Sequence, residues 1–449
     1  MKKALSLVIC IILLSGITAF GEEDSSLYTC MPECLQMTQK EVVEKPKDNI
    51  QIRCTYPSTA NAAVDAQICD LVDEMSGEAR DMLPNKKPSV LHDLDTGAVI
   101  YRTGTKYMSF LVLCQYCVDT EMMYMRHEGR VYDMETGTQL SLTDMFDEDS
   151  AGWDILSQAV REQLSAYYPD ETADPAALDA LCSREALQDA CFVMTPCRLV
   201  LIYRADTLYQ SRVTLMNVNI WYTDIAPYMK EEAREQTDNS RYKKVALTYD
   251  DGGAGGYTKR TLNELRNYGA NATFFVVGEM FGRNHYNMCR QQNGGYSIQS
   301  HNYFHKTGGY STDELFRWKE RMNTELTALI GIGPTLFRAP GGKENTMINA
   351  NYGMPLIHWS LISYDVSADG SRVDETKVAG NVTRNVKNGD VVLMHDLRSN
   401  CDKYTRTIVQ YLNDNGWLCL TVEELFHDAG MELLPDQVYY STTWDYSKE

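Results

Sequence analysis

Between residues 243 and 428, short apolar runs alternate with amphipathic stretches of helical length, and this alternation restricts the fold more than any other feature of the sequence. The runs are KVALTY, ATFFVVG, GYSIQSH, TLFRAP, PLIHWSL, DVVLMH and WLCLTV. The stretches between them include Thr258 to Tyr268 and Ser311 to Ile330, the second opening on the capping-box pattern Ser311-Thr-Asp-Glu314. Strand and helix in regular succession imply parallel strands joined by crossover helices, since a tight turn cannot bring two strands parallel. That predicts an α/β domain, a (β/α) barrel or an open doubly wound sheet, with its site where strands end and loops begin.

Polar groups collect at those strand ends. Asp250 and Asp251 follow KVALTY, His301 and His305 follow GYSIQS, Arg338-Ala-Pro-Gly-Gly342 follows TLF, Asp365 follows PLIHWSL, and DVVLMH ends in His395. Three of the chain's eight histidines lie at these points. Taken singly, each residue has an ordinary explanation as a turn, cap or ion-pair residue; together and in order they predict a site. His301-x-x-x-His305 puts two imidazoles within reach of one ion. One carboxylate completes a two-His, one-Asp set suited to zinc or another divalent transition metal, with coordination positions left for water and substrate. The second aspartate of the pair is then free to act as a base.

The preceding half has another rhythm. An apolar-periodic stretch at Asn61 to Leu83 is followed by AVIYRTG, KYMSFLVLCQYCV and RVYDMETGTQL, which read as meandering antiparallel strands with Gly-containing turns. Helical patterns at Trp153 to Tyr167 and Pro175 to Ala190, then the strand pair CRLVLIYRA and SRVTLMNVNIW, complete an expected α+β domain over residues 49–225, after an N-terminal segment 22–48. The polar stretch 226–242 is expected to be a linker, residues 243–428 the second domain, and residues 429–449 a C-terminal tail. Every candidate catalytic group follows residue 240, so the second half is expected to carry the chemistry by itself.

The first residues combine Lys2 and Lys3, an apolar run from Ala4 to Phe20, and small residues at Ala19 and Gly21. They predict a secretory signal peptide over residues 1–21, with an uncleaved N-terminal anchor as the alternative. Export permits disulfides among the twelve cysteines that remain after Cys10, in pairings the sequence does not specify. Cys114 and Cys117 lie three apart on an expected strand, on opposite faces, and read as core thiols rather than as a metal pair. A formal charge of 42 − 62 = −20 gives no footprint for nucleic acid.

The ordered segments TYDDG (248 to 252), SHNYFH (300 to 305), RAPGG (338 to 342), WSLISYD (359 to 365) and LMH (393 to 395) resemble the five motifs of the polysaccharide deacetylases, the NodB-homology or carbohydrate esterase family 4 fold. The resemblance implies a distorted (β/α) barrel that hydrolyses N-acetyl or O-acetyl groups of sugar polymers. Carried over by position, it implies Asp250 as general base and Asp251, His301 and His305 as ligands of a divalent metal, zinc first, with cobalt or manganese as alternatives. Arg338 would orient Asp250, the Gly341 amide would face the oxyanion, His395 would be the general acid, and Leu393 and Trp359 would line the substrate pocket. The fourth motif departs from the family pattern, with Ile362 and Val366 where an aspartate and a tryptophan are common. Asp365 is expected to pair with His395, with Asp369 as its substitute. Segments 54–68 and 130–146 of the first half resemble the extracellular domain that precedes such deacetylases in some bacterial peptidoglycan deacetylases.

The expected protein is an exported metal-dependent amidohydrolase acting on an acetylated cell-wall polysaccharide, peptidoglycan first. The first half would hold polymer or a wall-associated protein. The alternatives are a deacetylase of chitin oligomers or acetylxylan, and a non-catalytic wall- or lysozyme-binding sensor.

Overall fold

The computed structural model describes residues 27–209, 212–252, 255–283, 285–367 and 371–446. The signal peptide expected at 1–21 and the substitute carboxylate Asp369 lie outside them. Among the described residues no helix is long and apolar enough to cross a membrane.

The second half is α/β. Its central strand, Lys243–Asp251, pairs in parallel with Asp390–His395 along one edge. Along the other edge it pairs with Trp417–Leu420 near its start and with Thr273–Val276 near its end. Ser297–Ser300 extends the sheet on one side and Leu361–Ile362 on the other. The expected strand at TLFRAP shrinks to the single bridging residue Phe337, which links Ser300 to Leu356. The expected strand PLIHWSL is broken in two, Leu356–Ile357 and Leu361–Ile362, because its middle turns aside to serve other partners: the Arg338 guanidinium donates to the carbonyls of Ile357 and His358. No ladder joins these two pieces among the described residues, so the parallel path is not closed there. Leu356–Ile357 pairs instead with Val438–Tyr439 from the C-terminal segment.

Crossover helices cover the sheet. Thr312–Ile330 carries the predicted capping box, with Ser311 and Glu314 bonded reciprocally, and ends at Gly331 in the left-handed region, φ 90°. Its buried stripe of Leu315, Trp318, Met322, Leu326 and Ile330 follows helical spacing.

In the first half, six strands form one sheet: Met37–Lys47, Ile50–Thr59, His92–Thr103, Tyr107–Val118, Glu121–Asp133 and Thr138–Leu140. The last four meander antiparallel, as their alternation predicts. Ile50–Thr59 and His92–Thr103 run parallel, because the helix Ala62–Arg80 crosses over between them. A second sheet, Phe192–Met194, Arg198–Arg204 and Leu215–Trp221, packs beside helix Gly152–Ala166. Residues 226–242 hold the short helix Glu231–Glu235 and bury Met229, Ala233, Gln236, Asn239 and Tyr242; Gln236 Oε1 accepts from the amides of Thr105 and Lys106.

The two halves meet across a seam of buried charge. Asp95, 1 % exposed, accepts from Arg266 at 2.5 Å and Arg290 at 3.2 Å, with Arg53 Nε at 3.5 Å. Beside it Asp93 takes the Lys259 ammonium and, at 3.0 Å, the Tyr286 hydroxyl. All twelve described cysteines are free thiols. Cys114 is in the core against helix Ala62–Arg80, its thiol donating to Met75 O. Cys117 faces the seam with Met122, Tyr286 and Cys289. The two thiols thus lie on opposite faces of their strand, as the spacing predicts.

Candidate active site

Asp250 and His395 sit opposite each other on neighbouring parallel strands. Successive residues on a strand point to opposite faces, yet both aspartates of the pair reach the same imidazole: Asp250 Oδ2 and Asp251 Oδ1 each lie 3.7 Å from His301 Nε2. The backbone makes this possible. Asp251 adopts φ 77°, a left-handed conformation that Asp tolerates better than most residues and that rolls its carboxylate round toward the first. Backbone strain of this kind collects at functional sites.

The three ligand candidates are adjacent. His305 Nε2 is 3.4 Å from Asp251 Oδ1, the two imidazole centroids are 5.1 Å apart, and one potential ligand atom from each of Asp251, His301 and His305 falls within 4.8 Å of the others. His301 Nδ1 lies 2.9 Å from the Arg338 carbonyl, which can only accept; Nδ1 therefore carries the proton and Nε2 presents its lone pair to Asp251. Asp251 Oδ1 is buried without a hydrogen-bond partner in the protein. An unbonded carboxylate oxygen facing two imidazole nitrogens suits a divalent cation by its chemistry.

Arg338 is fully buried and sits over the Phe275 ring. Its guanidinium is spoken for on every side: Nη1 donates to Asp250 Oδ1 at 2.8 Å and to Thr248 Oγ1 at 2.7 Å, Nε to Ile357 O and Nη2 to His358 O. This fixes the Asp250 carboxylate. Burial would raise the Asp250 pKa, but Arg338, with His301 and His395, holds it below the ordinary carboxylate value.

His395 Nδ1 is 3.0 Å from Asp365 Oδ1, and the His395 amide donates to Asp365 Oδ2 at 2.8 Å. Burial disfavours the imidazolium, but the hydrogen bond and charge of Asp365, helped by Asp250 and Asp251, outweigh it and push the His395 pKa up to about 9. Asp365 is held below its usual range, against burial, chiefly by His395. Two of its partners escape the sequence: Ser363, whose hydroxyl donates to Oδ1, and Tyr404 of the crossover helix Cys401–Asp414, whose hydroxyl donates between the His395 carbonyl at 2.5 Å and Asp365 Oδ2 at 3.1 Å. Asp396, next to His395, is also buried; burial pushes its carboxyl up to about 7 against a hydrogen bond from Thr258.

Of the remaining predicted residues, Leu393 lies two positions before His395, on the same face of that strand, and is buried. Trp359 is half-buried and stacked on His358, with Arg338 Cζ 5.9 Å from its ring. Gly341 and Gly342 both have positive φ, 65° and 64°; a Cβ on Gly342 would stand 3.1 Å from His358 and from Trp359, so the turn passes these rings as glycine.

Residues 237–355 match the family described as Polysaccharide deacetylase. A peptidoglycan-N-acetylglucosamine deacetylase of Bacillus cereus is 31 % identical over 191 residues, covering 41 % of this chain and 88 % of that protein. The peptidoglycan-N-acetylglucosamine deacetylase PgdA of Listeria monocytogenes is 24 % identical over 425 residues, covering 89 % of this chain and 87 % of its own, so that likeness extends into the first half. A solved structure described as T48 deacetylase with substrate aligns at TM-score 0.41 and 29 % identity, over 45 % of this chain and 98 % of its own. The chain belongs to the polysaccharide deacetylase family.

Proposed function

We propose that this chain is an exported, divalent-metal-dependent deacetylase that hydrolyses the N-acetyl groups of a sugar polymer, with peptidoglycan as its substrate. The observation that carries the reading is the division of the adjacent aspartates: Asp250 is clamped by Arg338, while Asp251 faces His301 and His305. The likeness to two peptidoglycan-N-acetylglucosamine deacetylases supports the choice of polymer, and the Lys2-Lys3 leader supports export.

Asp251, His301 and His305 would hold the metal. A bound divalent ion supplies Lewis acidity to the acetyl carbonyl oxygen and lowers the pKa of a water. The protein's own groups divide the proton transfers. Asp250, kept ionised by Arg338, accepts a proton from the water that attacks the acetyl carbon. His395, kept charged by Asp365, gives its proton to the amide nitrogen as the C–N bond breaks, so that acetate and a free amino sugar leave. The Gly341 amide faces the oxyanion, and Leu393 and Trp359 line the acetyl-sugar pocket.

The test is acetate release from purified peptidoglycan, N-acetylglucosamine oligomers and acetylxylan side by side. Peptidoglycan is expected to be turned over best, with activity lost on chelation and restored by zinc, cobalt or manganese. Best turnover of acetylxylan would reassign the substrate. No acetate from any of the three by the metal-loaded protein would overturn the enzyme reading.

A further inference from the structure

Resting on the deacetylase reading above, we propose that the C-terminal segment 438–446 forms a glycan-stacking surface that lengthens the substrate cleft, with the outer face of Trp444 as its plate and Tyr440, stacked behind it, as the support. The surface begins at the site. Trp359 and His358 border the Gly341–Gly342 turn, and their rings stack 3.9 Å apart at 24°. Tyr440 follows at 4.9 Å from His358, and Trp444 stacks on Tyr440 at 4.6 Å and 25°. Trp444 ends the series 45 % exposed. Four rings in sequence thus lead from the buried Arg338 to solvent.

The segment forms a two-stranded ladder of its own, tied by single bridges to the sheet that carries the catalytic groups. Val438–Tyr439 pairs with Leu356–Ile357, and the His358 amide donates to Tyr439 O. Ser441 bridges Asp390, the first residue of the strand that ends at His395. The Tyr446 hydroxyl folds back to accept from the Tyr440 amide at 2.9 Å and to donate to Ser441 O at 2.8 Å. The Tyr440 backbone is therefore fixed at both ends of its turn, and pre-ordered aromatic faces bind at lower entropic cost than mobile ones. The open outer face of Trp444 suits a neutral pyranose, which offers an apolar C–H face and a polar rim. The occupant is a sugar unit beyond the one being deacetylated.

The experiment compares wild type, Tyr440→Ala, Trp444→Ala and Trp444→Phe on the N-acetylglucosamine dimer and pentamer, following acetate release and, separately, binding by tryptophan fluorescence. KM for the pentamer is expected to rise roughly three- to tenfold in both alanine variants, the scale of one aromatic contact. The kcat and the dimer kinetics should hold, and Trp444→Phe should restore most of the loss. Pentamer and dimer changing together, or neither changing, would overturn the proposal. If no variant and no wild-type protein released acetate while pentamer binding still depended on Trp444, the stacking surface would stand and the deacetylase reading would fall. A patch that ignores sugars and instead captures a second copy of the chain would remove the glycan assignment.

Discussion

Two clusters of buried charge lie in this molecule, and they are unbalanced in opposite directions. At the seam four cations, Arg53, Lys259, Arg266 and Arg290, face two buried carboxylates, Asp93 and Asp95, with only Arg53 reaching a third, the part-exposed Glu41. The spare groups there are donors: Arg53 Nε, Arg266 Nε and Arg290 Nη1 are buried without a hydrogen-bond partner in the protein. At the site three carboxylates, Asp250, Asp251 and Asp365, face one guanidinium and three imidazoles, and the spare group is an acceptor, Asp251 Oδ1. Surplus donors sealed between two halves serve packing. A surplus acceptor beside the exposed His305 can take up a cation.

This contrast predicts where substitutions act. The largest effect is expected from Asp95→Ala, which leaves Arg266 and Arg290 buried without their carboxylate. Breaking a buried pair from one side costs about 3–5 kcal/mol, measurable by urea unfolding of the full chain. A loss below ~1 kcal/mol would mean that the seam charges are solvated and the halves are loosely joined.

Asp250→Asn should leave bound metal nearly unchanged while kcat falls by ~10²-fold or more, the range of acid-base contributions; because it strips the buried Arg338 of its carboxylate, it should also cost stability. Asp251→Asn should lose metal together with activity. Equal metal content in the two variants would end the division of labour between neighbours.

A smaller and more specific effect is expected in the pH profile. The acid must be protonated to work, and the environment raises the His395 pKa to about 9, so activity should persist above neutrality and fall as pH rises through that region. Asp365→Asn removes the main influence opposing burial; the alkaline limb should then move to lower pH. A limb that stays in place would assign it to another group. The mildest change, Tyr404→Phe, removes one donor to Asp365. Asp365, ionised throughout this range, then bonds the imidazolium more strongly, so the same limb should shift slightly to higher pH.

The site was far more legible in the sequence than the seam, for a physical reason. Parallel strands deliver their ends to one edge, so Asp250, His301, Arg338 and His395 could be collected without knowing a single contact. The capping box at Ser311 was legible because it is local. The seam depends on pairings that no periodicity encodes: Asp95 lies 171 residues from Arg266 and 195 from Arg290. Its one local trace is the alternation of Asp93 and Asp95 in HDLDTGAVIY, two carboxylates on one face of an otherwise apolar strand. Ser363 and Tyr404 were missed because hydroxyls acting through Asp365 leave no mark beyond a common residue type. The weak strands at Phe337 and Leu356–Ile357 follow from Arg338, which uses backbone carbonyls that a regular ladder would have taken.

The twelve free thiols among the described residues bear on how such a chain would fare in an oxidising surrounding. Burial pushes Cys114, Cys117, Cys191, Cys289, Cys401 and Cys419 up to about 12, so at neutral pH almost none of these sulfurs is a thiolate, the form that attacks disulfides and peroxides. Among the described residues the fold buries seven of the twelve cysteines and partly covers Cys34, Cys69, Cys191 and Cys419, with Cys30 exposed. The unfolded chain, with every cysteine in water, has no such shelter. Its yield outside a reducing compartment is then a race in which burial must outrun mispairing, and the chain that folds first keeps its thiols.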